Sequence, residues 1–257
     1  MNNALIGYTG FVGGNLLRQS SFAATYNSFS IQELRGKRYD EIWCAGVRAV
    51  KWWANSHPEE DWAGIAPLLD VLGTVRCDRF VLISTVDVFA HPRGVDETTV
   101  PERENLHPYG LHRLQVEDFI RRHFDVHTIV RLPGLFGEGL KKNAIYDLLH
   151  NHQVENIHAD SRFQFYDLSS VAVDCRKACA ADLRCIHFAV EPVTVRDMAA
   201  QAFGKTFDNR PEQAPAAYDM RTVHAGLWGK TGPYMQDGGE VLTRIAAFVS
   251  REEAERD

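Results

Sequence analysis

Ala4-Leu5-Ile6-Gly7-Tyr8-Thr9-Gly10-Phe11-Val12-Gly13 is the stretch that decides the fold. The apolar run up to Gly7 predicts a buried β-strand, and Phe11–Gln19 predicts a helix directly after it. The spacing Gly-x-x-Gly-x-x-Gly lets the backbone pass close to a pyrophosphate, whose charge would meet the N–H groups at the start of the helix. A glycine-rich turn without a ligand is the alternative. Because the motif follows a strand and opens a helix, it favours a dinucleotide site at Gly7, Gly10, Phe11, Val12 and Gly13.

Outward from this turn, short apolar runs alternate with amphipathic segments. The predicted strands are Glu41–Ala45, Arg79–Ser84 and Val126–Leu132, and the predicted helices lie near Pro58–Val75 and Tyr109–His123. This alternation predicts an α/β fold, a Rossmann-type doubly wound parallel sheet of about six or seven strands. In the helix near 58–75, four apolar residues recur at helical spacing: Trp62, Ile65, Leu69 and Leu72. They predict an apolar face, with Trp62 in the core.

The pattern becomes less regular after Gly137. Short strands are predicted at Val154–His158 and Phe163–Leu168, and helices are predicted from about Ser170, from Thr194 and over Glu240–Val249. This half does not form a βαβ series of its own. We therefore expect an NAD(P)-binding Rossmann domain over residues 1–140 and a small substrate-binding lobe over 141–257, with elements that return to the Rossmann core.

Composition excludes several classes of partner. The chain has 257 residues and a formal net charge of −6, and it carries no Lys/Arg-rich block. Nucleic acid and anionic membrane surfaces are therefore poor partners. No apolar stretch approaches the roughly 20 residues of a bilayer span, and the first residues run into a strand rather than a signal peptide. We expect a cytoplasmic protein with no nucleic-acid partner and no membrane partner.

The five cysteines are odd in number and unevenly spread, which argues against a disulfide framework. Cys175, Cys179, Cys185 and His187 suggest a metal site, but their spacing matches no zinc pattern. Cys175 and Cys179 lie four residues apart on an alanine-rich helix, as small core-facing residues do. We therefore expect no metal.

Preference between NAD and NADP should depend on the end of the second strand. NAD-type sites carry an acid there that binds the ribose 2′-hydroxyl. Asn27 and Ser28 occupy this region, with no adjacent arginine. Both side chains can bind a hydroxyl and neither repels a phosphate, so the preference stays undetermined, with a slight tilt toward NADP.

Five blocks of sequence occur in a characteristic order. They are Gly7–Gly13, Cys44–Gly46, Ile83–Phe89, Pro108–Arg113 and Val130–Gly137. Together they resemble the extended short-chain dehydrogenase/reductases, the group of NAD-dependent epimerases/dehydratases and nucleotide-sugar reductases. The resemblance covers roughly the first 140 residues and implies NAD or NADP as the cofactor.

The resemblance implies a role for each matching position. Tyr109 would be the acid/base that exchanges a proton with a substrate hydroxyl or carbonyl, and Thr85 would hydrogen-bond the same oxygen. The residue at position 113 would bind the nicotinamide ribose and lower the pKa of Tyr109. Further cofactor contacts are implied at Ala45, Gly46, Pro133, Gly134 and Leu135.

The run Tyr109-Gly110-Leu111-His112-Arg113 departs from the family motif Tyr-x-x-x-Lys at its last residue. A fixed cation still favours tyrosinate and can donate to ribose hydroxyls. The guanidinium is bulkier than an ammonium and cannot release a proton, so a relay through this position would be lost. Cofactor binding is therefore the firmer prediction. Catalytic turnover is still expected to be feasible, because Tyr109 and Thr85 are both present.

The loop after the fourth strand narrows the reaction. In the family's 4,6-dehydratases an Asp-Glu pair follows the threonine, whereas this chain has Val86-Asp87. Val86 cannot protonate a leaving group, which argues against dehydration. The loop resembles that of the dTDP-4-dehydrorhamnose reductases more closely, so reduction of a keto sugar, or epimerisation through a keto intermediate, remains.

Three side chains are candidates for substrate binding. Asp87 lies in the loop just described. Arg162 occupies a region that often meets the nucleotide diphosphate in the family, although a surface ion pair with Asp160 explains it equally well. Trp53, in Lys51-Trp52-Trp53, is a candidate for ligand stacking, because adjacent tryptophans cannot share one face; packing under a neighbouring helix is the alternative.

These observations favour an NAD(P)-dependent oxidoreductase or epimerase that acts on a nucleotide sugar or related carbohydrate, with Tyr109 as acid/base. One alternative is a non-catalytic NAD(P)-binding sensor or assembly protein, in which Arg113 marks lost chemistry. Another is a reductase of a small non-sugar carbonyl compound, favoured by the short second half. Members of the family often dimerise, so a homodimer through the helix Tyr109–His123 is an option.

Overall fold

The computed structural model describes residues 2–255. The strands are β1 (Asn3–Ile6), β2 (Ala24–Tyr26), β3 (Arg38–Cys44), β4 (Arg76–Thr85), β5 (Arg93–Val95), β6 (His127–Leu132), β7 (Gly134–Phe136), β8 (Arg162–Phe163), β9 (Phe165–Asp167), β10 (Cys185–His187), β11 (Val193–Thr194) and β12 (Asp219–Met220). The α-helices are α1 (Phe11–Gln19), α2 (Lys51–Ser56), α3 (Pro58–Leu72), α4 (Pro108–His123), α5 (Ala144–His150), α6 (Val171–Ala180), α7 (Val195–Phe203) and α8 (Gly238–Ala254).

Within the described residues, six strands form the central sheet in the order β10-β6-β4-β3-β1-β2. β1 pairs in parallel with β2 on one side and with β3 on the other, and β3 pairs in parallel with β4. The prediction of a Rossmann-type parallel sheet is confirmed. Because β2 and β3 leave β1 toward opposite edges, the carboxyl ends of β1 and β3 form the topological switch point at which such sheets bind ligands.

Alternate residues of the central strands are buried on opposite faces of the sheet. Ala4 and Ile6 belong to a core cluster with side chains of α3 and α4, whereas Leu5 between them is buried on the other face. Trp43 is paired with Leu5 in register, and the guanidinium of Arg176 in α6 lies 5.5 Å from its ring centroid. Helices therefore cover both faces, which explains why these strands are apolar throughout.

The described chain divides into two compact units. The first consists of the residues up to His91, Thr99–Arg131 and Ser169–Ile186, and it contains the central sheet. The second consists of Pro92–Thr98, Leu132–Leu168 and the residues from His187 onward. Its strands pair two by two: β7 with β9, β8 with β11 and β5 with β12. The segment that carries α6 and β10 thus returns to the unit of the central sheet.

A buried glutamine organises the second unit. The side-chain amide of Gln164 donates to the carbonyls of Val190 (2.6 Å) and Met220 (2.7 Å), and its oxygen accepts from the N–H of Met220 (2.7 Å). These bonds satisfy a polar group that is otherwise costly to bury. They connect three segments that are distant in the sequence.

Two predicted strands of this unit are corrected by the structure. The prediction of a strand over Val154–His158 is wrong, because Val154–Asn156 forms a 3-10 turn. The side-chain amide of Asn209 donates to the carbonyls of Glu155 (2.7 Å) and Ile157 (2.8 Å), so these groups need no neighbouring strand. The predicted strand Phe163–Leu168 is instead divided into β8 and β9, two strands that pair with different partners.

Helix α3 turns the predicted apolar face to the core, and it also buries a carboxylate that was not predicted. Ile65 and Leu72 are buried as expected, and Trp62 and Leu69 are partly buried and pack against the same core cluster. The residue before Trp62, Asp61, is 3% exposed. Asp61, Ile65 and Leu72 share one face of the helix, so the buried stripe begins with a carboxylate. Such a group requires a cationic partner.

No helix between residues 2 and 255 has the length and apolar character of a membrane span. Over the same range, no cluster of three or more His, Cys, Asp or Glu side chains is arranged to hold a metal ion. Cys175 is buried in α6, where burial raises the pKa of its thiol well above the usual value.

Candidate active site

The glycine turn after β1 packs against the residues that follow β3. Gly7 has φ +84°, and its N–H donates to the carbonyl of Tyr26 at the end of β2 (2.7 Å). A Cβ atom at Gly7 would lie 2.5 Å from the carbonyl oxygen of Ala45 and 2.5 Å from the Cα of Gly46. Only glycine fits such a contact. The predicted cofactor residues Gly7, Ala45 and Gly46 are thus brought together at the switch point.

Helix α1 begins in a way that suits an anion. Gly10 is the residue before the helix, no side chain of the described chain caps it, and the first turn contains no acidic residue. The N–H groups of this first turn, which includes Phe11 and Val12, therefore remain available to a negatively charged ligand. The close-packed turn and the uncapped helix fit the pyrophosphate of a dinucleotide.

Substitution of Gly13 by alanine is expected to abolish dinucleotide binding and destabilise the protein, because the new Cβ would lie 2.0 Å from the Gly7 carbonyl oxygen. Gly14→Ala is the matched control, since its Cβ would lie 3.6 Å from the nearest atom, the carbonyl oxygen of Tyr8, in ordinary contact. Alanine there should stabilise α1 by about 0.5–1 kcal/mol. Thermal unfolding and NADH fluorescence titration measure both effects; equal behaviour of the two variants would contradict the expectation.

The end of β2 carries an Asx turn rather than an acid. The Asn27 side-chain oxygen accepts from the backbone N–H groups of Phe29 (2.9 Å) and Ser30 (3.1 Å), and its amide donates to the hydroxyl of Tyr8 (3.2 Å). Ser28 is exposed within this turn. The turn thus holds Asn27 beside the glycine loop, and the roles of Asn27 and Ser28 toward a ribose remain predictions.

The start of α4 is fixed by three contacts. The N–H of Tyr109 donates to the side-chain oxygen of Asn55 in α2 (3.0 Å), and the N–H of Gly110 donates to Nδ1 of His107 (3.0 Å). A Cβ at Gly110 would lie 2.0 Å from the carbonyl oxygen of Asp87. The glycine inside the Tyr-x-x-x-Arg motif is therefore required for the helix to approach the loop that follows β4.

This approach brings Tyr109 against Thr85. The two side chains are hydrogen-bonded, and Tyr109 is 7% exposed. Burial raises the pKa of the Tyr109 hydroxyl above 10.0, and the Asp87 carboxylate adds to this; the charge of Arg113, the hydrogen bond from Thr85 and the charge of Lys51 act against it. A buried hydroxyl with a donor and two cations nearby is suited to proton exchange.

Arg113 is held inside the protein by a carboxylate. Its guanidinium forms an ion pair with both oxygens of Asp61, donates to the carbonyl of Arg48 and donates to the carbonyl of Tyr109 (3.3 Å). His112 also bonds Asp61, at 2.8 Å. The guanidinium carbon lies 4.0 Å from the ring centroid of Tyr109. Arg113 therefore packs against the tyrosine face, and its contact with a ribose remains a prediction.

A second ion pair lies at the same end of α4. Nζ of Lys51 and Oδ1 of Asp87 are 2.6 Å apart, and the N–H of Asp87 donates to Oγ1 of Thr85 (3.1 Å). The predicted substrate residue Asp87 is thus adjacent to the Tyr109–Thr85 pair. Lys51 follows β3 along the chain, and its pairing with Asp87 was not predicted from the sequence.

One of the two adjacent tryptophans is exposed, as expected, but it is Trp52 rather than Trp53. Trp52 is 69% exposed. Trp53, the predicted ligand-stacking residue, is itself stacked on His57 with ring centroids 5.3 Å apart, and Arg48 lies 4.5 Å from its ring centroid. Trp53 thus packs against residues that flank α2, and its contact with a ligand remains a prediction.

A buried carboxylate braces the strand that carries Thr85. Glu117 is fully buried in α4; it accepts from the hydroxyl of Ser84 (2.6 Å) and pairs with Arg131 (2.7 Å) and Arg121 (2.8 Å). Burial alone would raise the pKa of Glu117, but the hydrogen bonds and charges of these neighbours outweigh it and lower the pKa. This network fixes the end of β4 relative to α4.

Four predicted site residues belong to the second unit. Pro133 precedes β7, which contains Gly134 and Leu135; a Cβ at Gly134 would lie 2.6 Å from the carbonyl oxygen of Gln164. Arg162 in β8 donates to the carbonyl of Pro192 (3.5 Å). Asp160, the alternative partner considered for Arg162, pairs with Arg196 and Arg210 instead. The cofactor and substrate roles of these four residues remain predictions.

Asp61 and Asn55 were not predicted as site residues from the sequence. A signal existed for Asp61, because it lies four and eleven residues before apolar positions of the same helix face, where a carboxylate needs a partner. No comparable signal existed for Asn55, whose contact with α4 depends on tertiary packing.

The model of the NAD dependent epimerase/dehydratase family matches residues 23–171. No curated protein matches the sequence. Among solved structures, a UDP-glucose 4-epimerase from Thermotoga maritima with UDP-glucose is 14% identical, with 100% of both chains covered and a TM-score of 0.73.

Two further solved structures are similar over nearly the whole chain. A dTDP-4-dehydrorhamnose reductase from Bacillus anthracis in complex with NADP is 16% identical, with 98% of this chain and 99% of that chain covered and a TM-score of 0.74. MoeE5 in complex with UDP-glucose and NAD is 13% identical, with 99% and 100% covered and a TM-score of 0.73. At these identities the likeness shows a shared fold.

Proposed function

Because this chain belongs to the NAD-dependent epimerase/dehydratase family, we propose that it is an NAD(P)-dependent oxidoreductase or epimerase that acts on a nucleotide sugar or a related carbohydrate. The observation that carries the proposal is the buried, hydrogen-bonded pair Tyr109–Thr85 in the same unit as the glycine turn. Similar structures bound to UDP-glucose with NAD, and to NADP, support the substrate class and the cofactor.

Each residue has a defined part in this proposal. The turn at Gly7–Gly13 and the residues Ala45 and Gly46 would hold the dinucleotide. A bound nicotinamide supplies or accepts hydride at a sugar carbon. Tyr109 gives a proton to the sugar oxygen during reduction and takes it during oxidation, and Thr85 hydrogen-bonds the same oxygen. Asp87 would contact a sugar hydroxyl. Val86 is buried and apolar, which supports reduction or epimerisation over elimination of water.

The test has two stages. Fluorescence titration with NADH and NADPH is expected to show binding by the purified protein. Oxidation or reduction of the bound cofactor is then followed with UDP- and dTDP-linked sugars and keto sugars, and products are separated to detect epimers. Turnover with a nucleotide sugar is the expected result.

The same experiment decides between the alternatives. Turnover restricted to small non-sugar carbonyl compounds would replace the substrate class. Binding without turnover would favour a dinucleotide sensor. The ion pair between Arg113 and Asp61 supports this alternative. A failure to bind either dinucleotide would overturn the proposal as a whole.

A further inference from the structure

The cation that the motif provides at position 113 is compensated within the protein. Arg113 is 4% exposed and Asp61 is 3% exposed, and both oxygens of the carboxylate receive hydrogen bonds from the guanidinium. The pair therefore has no net charge at neutral pH, although the guanidinium, 4.0 Å from the ring centroid of Tyr109, still lowers the pKa of that hydroxyl. Because arginine keeps its proton, this pair can stack on Tyr109 but cannot exchange a proton with it.

A lysine whose charge also acts on Tyr109 is supplied by a different helix. Lys51 is the first residue of α2, and α2 also provides Asn55, whose side chain accepts from the N–H of Tyr109 at 3.0 Å. The Lys51 ammonium lies 2.6 Å from Asp87, whose N–H donates to Thr85, the hydrogen-bond partner of Tyr109. Lys51 is thus linked to the Tyr109 hydroxyl through Asp87 and Thr85.

The accessibility of this lysine differs from that of Arg113. The Lys51 side chain is 40% exposed, whereas that of Asp87 is 18% exposed. An exposed, flexible ammonium can move between a carboxylate and a ligand, whereas a buried bidentate guanidinium cannot do so without breaking its ion pair. His107 caps the N-terminus of α4, and both burial and the charge of Lys51 lower the pKa of its side chain. The charge of Lys51 therefore acts at this end of α4.

We propose that Lys51 supplies the ammonium that the family motif places at position 113, and that Asp87 limits how much of this charge acts on Tyr109. Lys51 is then a positioning residue that acts through Tyr109. The inference rests on the proposed acid/base role of Tyr109. It concerns charges that the described first unit brings together: Lys51, Asp87, His107 and Arg113.

The proposal is tested by titrating Tyr109 without any need for turnover. A fluorinated tyrosine is incorporated at position 109; it ionises near neutral pH, where lysine side chains are still charged. Its ionisation is followed by fluorine NMR in the full-length protein and in variants. Lys51→Met is expected to lower the ratio of ionised to neutral ring by about tenfold at a given pH. Asp87→Asn is expected to raise that ratio, and Lys51→Arg is expected to restore it.

A matched control removes the same charge elsewhere. Lys177→Met lies on the exposed side of α6, and it should leave the titration unchanged. Lys51→Met without effect, or with an effect equal to that of Lys177→Met, overturns the proposal, as does a shift of Asp87→Asn in the same direction as Lys51→Met. Circular dichroism establishes that each variant is folded.

Turnover provides a separate result. If the wild type turns over, the pH at which Tyr109 must lose its proton should move upward in Lys51→Met and return in Lys51→Arg. If the wild type binds dinucleotide but does not turn over, the proposed function fails, whereas the titration still decides the role of Lys51. The two failures are therefore distinguishable.

Discussion

Tyr109→Phe is expected to reduce turnover by about 10²–10⁴-fold, the range that a positioned general acid or base contributes. The substitution removes one oxygen and keeps the ring, so the stacking of Arg113 on the ring should persist. The glycine turn lies outside the change. Dinucleotide affinity is therefore expected to stay within a few-fold of wild type. Initial rates with a nucleotide sugar and fluorescence titration with NADH or NADPH measure the two quantities.

A matched control removes a buried hydroxyl outside the site. Tyr39 and Tyr26 share a hydroxyl–hydroxyl hydrogen bond of 2.6 Å, and Tyr39→Phe should lower stability by about 0.5–1.5 kcal/mol without an effect on turnover. Retention of turnover in Tyr109→Phe within a few-fold would show that another group moves the proton.

Asp61→Asn is expected to destabilise the protein by about 3–5 kcal/mol, because it leaves the buried guanidinium of Arg113 without its counter-charge. For a chain of this size the loss corresponds to a fall in Tm of about 6–20 °C. Thermal unfolding measured by circular dichroism at neutral pH tests it. The orientation of Arg113 over Tyr109 depends on the same carboxylate, so turnover should fall as well.

The matched control lies on the same helix. Asp70 of α3 pairs with Arg35 at 2.5 Å, but both side chains are exposed. Surface pairs of this kind contribute little, so Asp70→Asn should leave Tm nearly unchanged. If Asp61→Asn also left Tm nearly unchanged, the buried pair would not contribute to stability.

The contribution of Asp61 also predicts a pH dependence. Burial alone would raise the pKa of this carboxyl, but the hydrogen bonds and charges of Arg113 and His112 outweigh burial and hold the pKa below its ordinary value of 3.8. A depressed pKa contributes stability that is present above the unfolded value and is lost as the pH falls through the folded value. The difference in Tm between wild type and Asp61→Asn should therefore shrink in acid below that value.

Much of the fold and part of the site follow from local patterns. The apolar run before Gly7, the glycine spacing after it and the alternation of strands and helices require only neighbouring residues to be recognised, and they predicted the parallel sheet and the switch point. The family motif likewise pointed to Tyr109 and Thr85, which the fold brings together and whose catalytic roles remain predictions. The strand predicted over Val154–His158 was wrong because carbonyls of this segment accept hydrogen bonds from the side chain of Asn209, some fifty residues away in sequence.

The sequence by itself determined the Rossmann-type topology, the glycine turn and the Tyr-x-x-x-Arg departure from the family motif, because each is written in contiguous residues. Only the tertiary structure decided what surrounds Tyr109. Asp61 and Lys51 lie 48 and 58 residues before it, on helices whose contact with α4 depends on how the chain packs over the sheet. Charge interactions depend on distance and burial in space rather than on spacing along the chain, so the partners of Arg113 and Asp87 could be assigned only after folding.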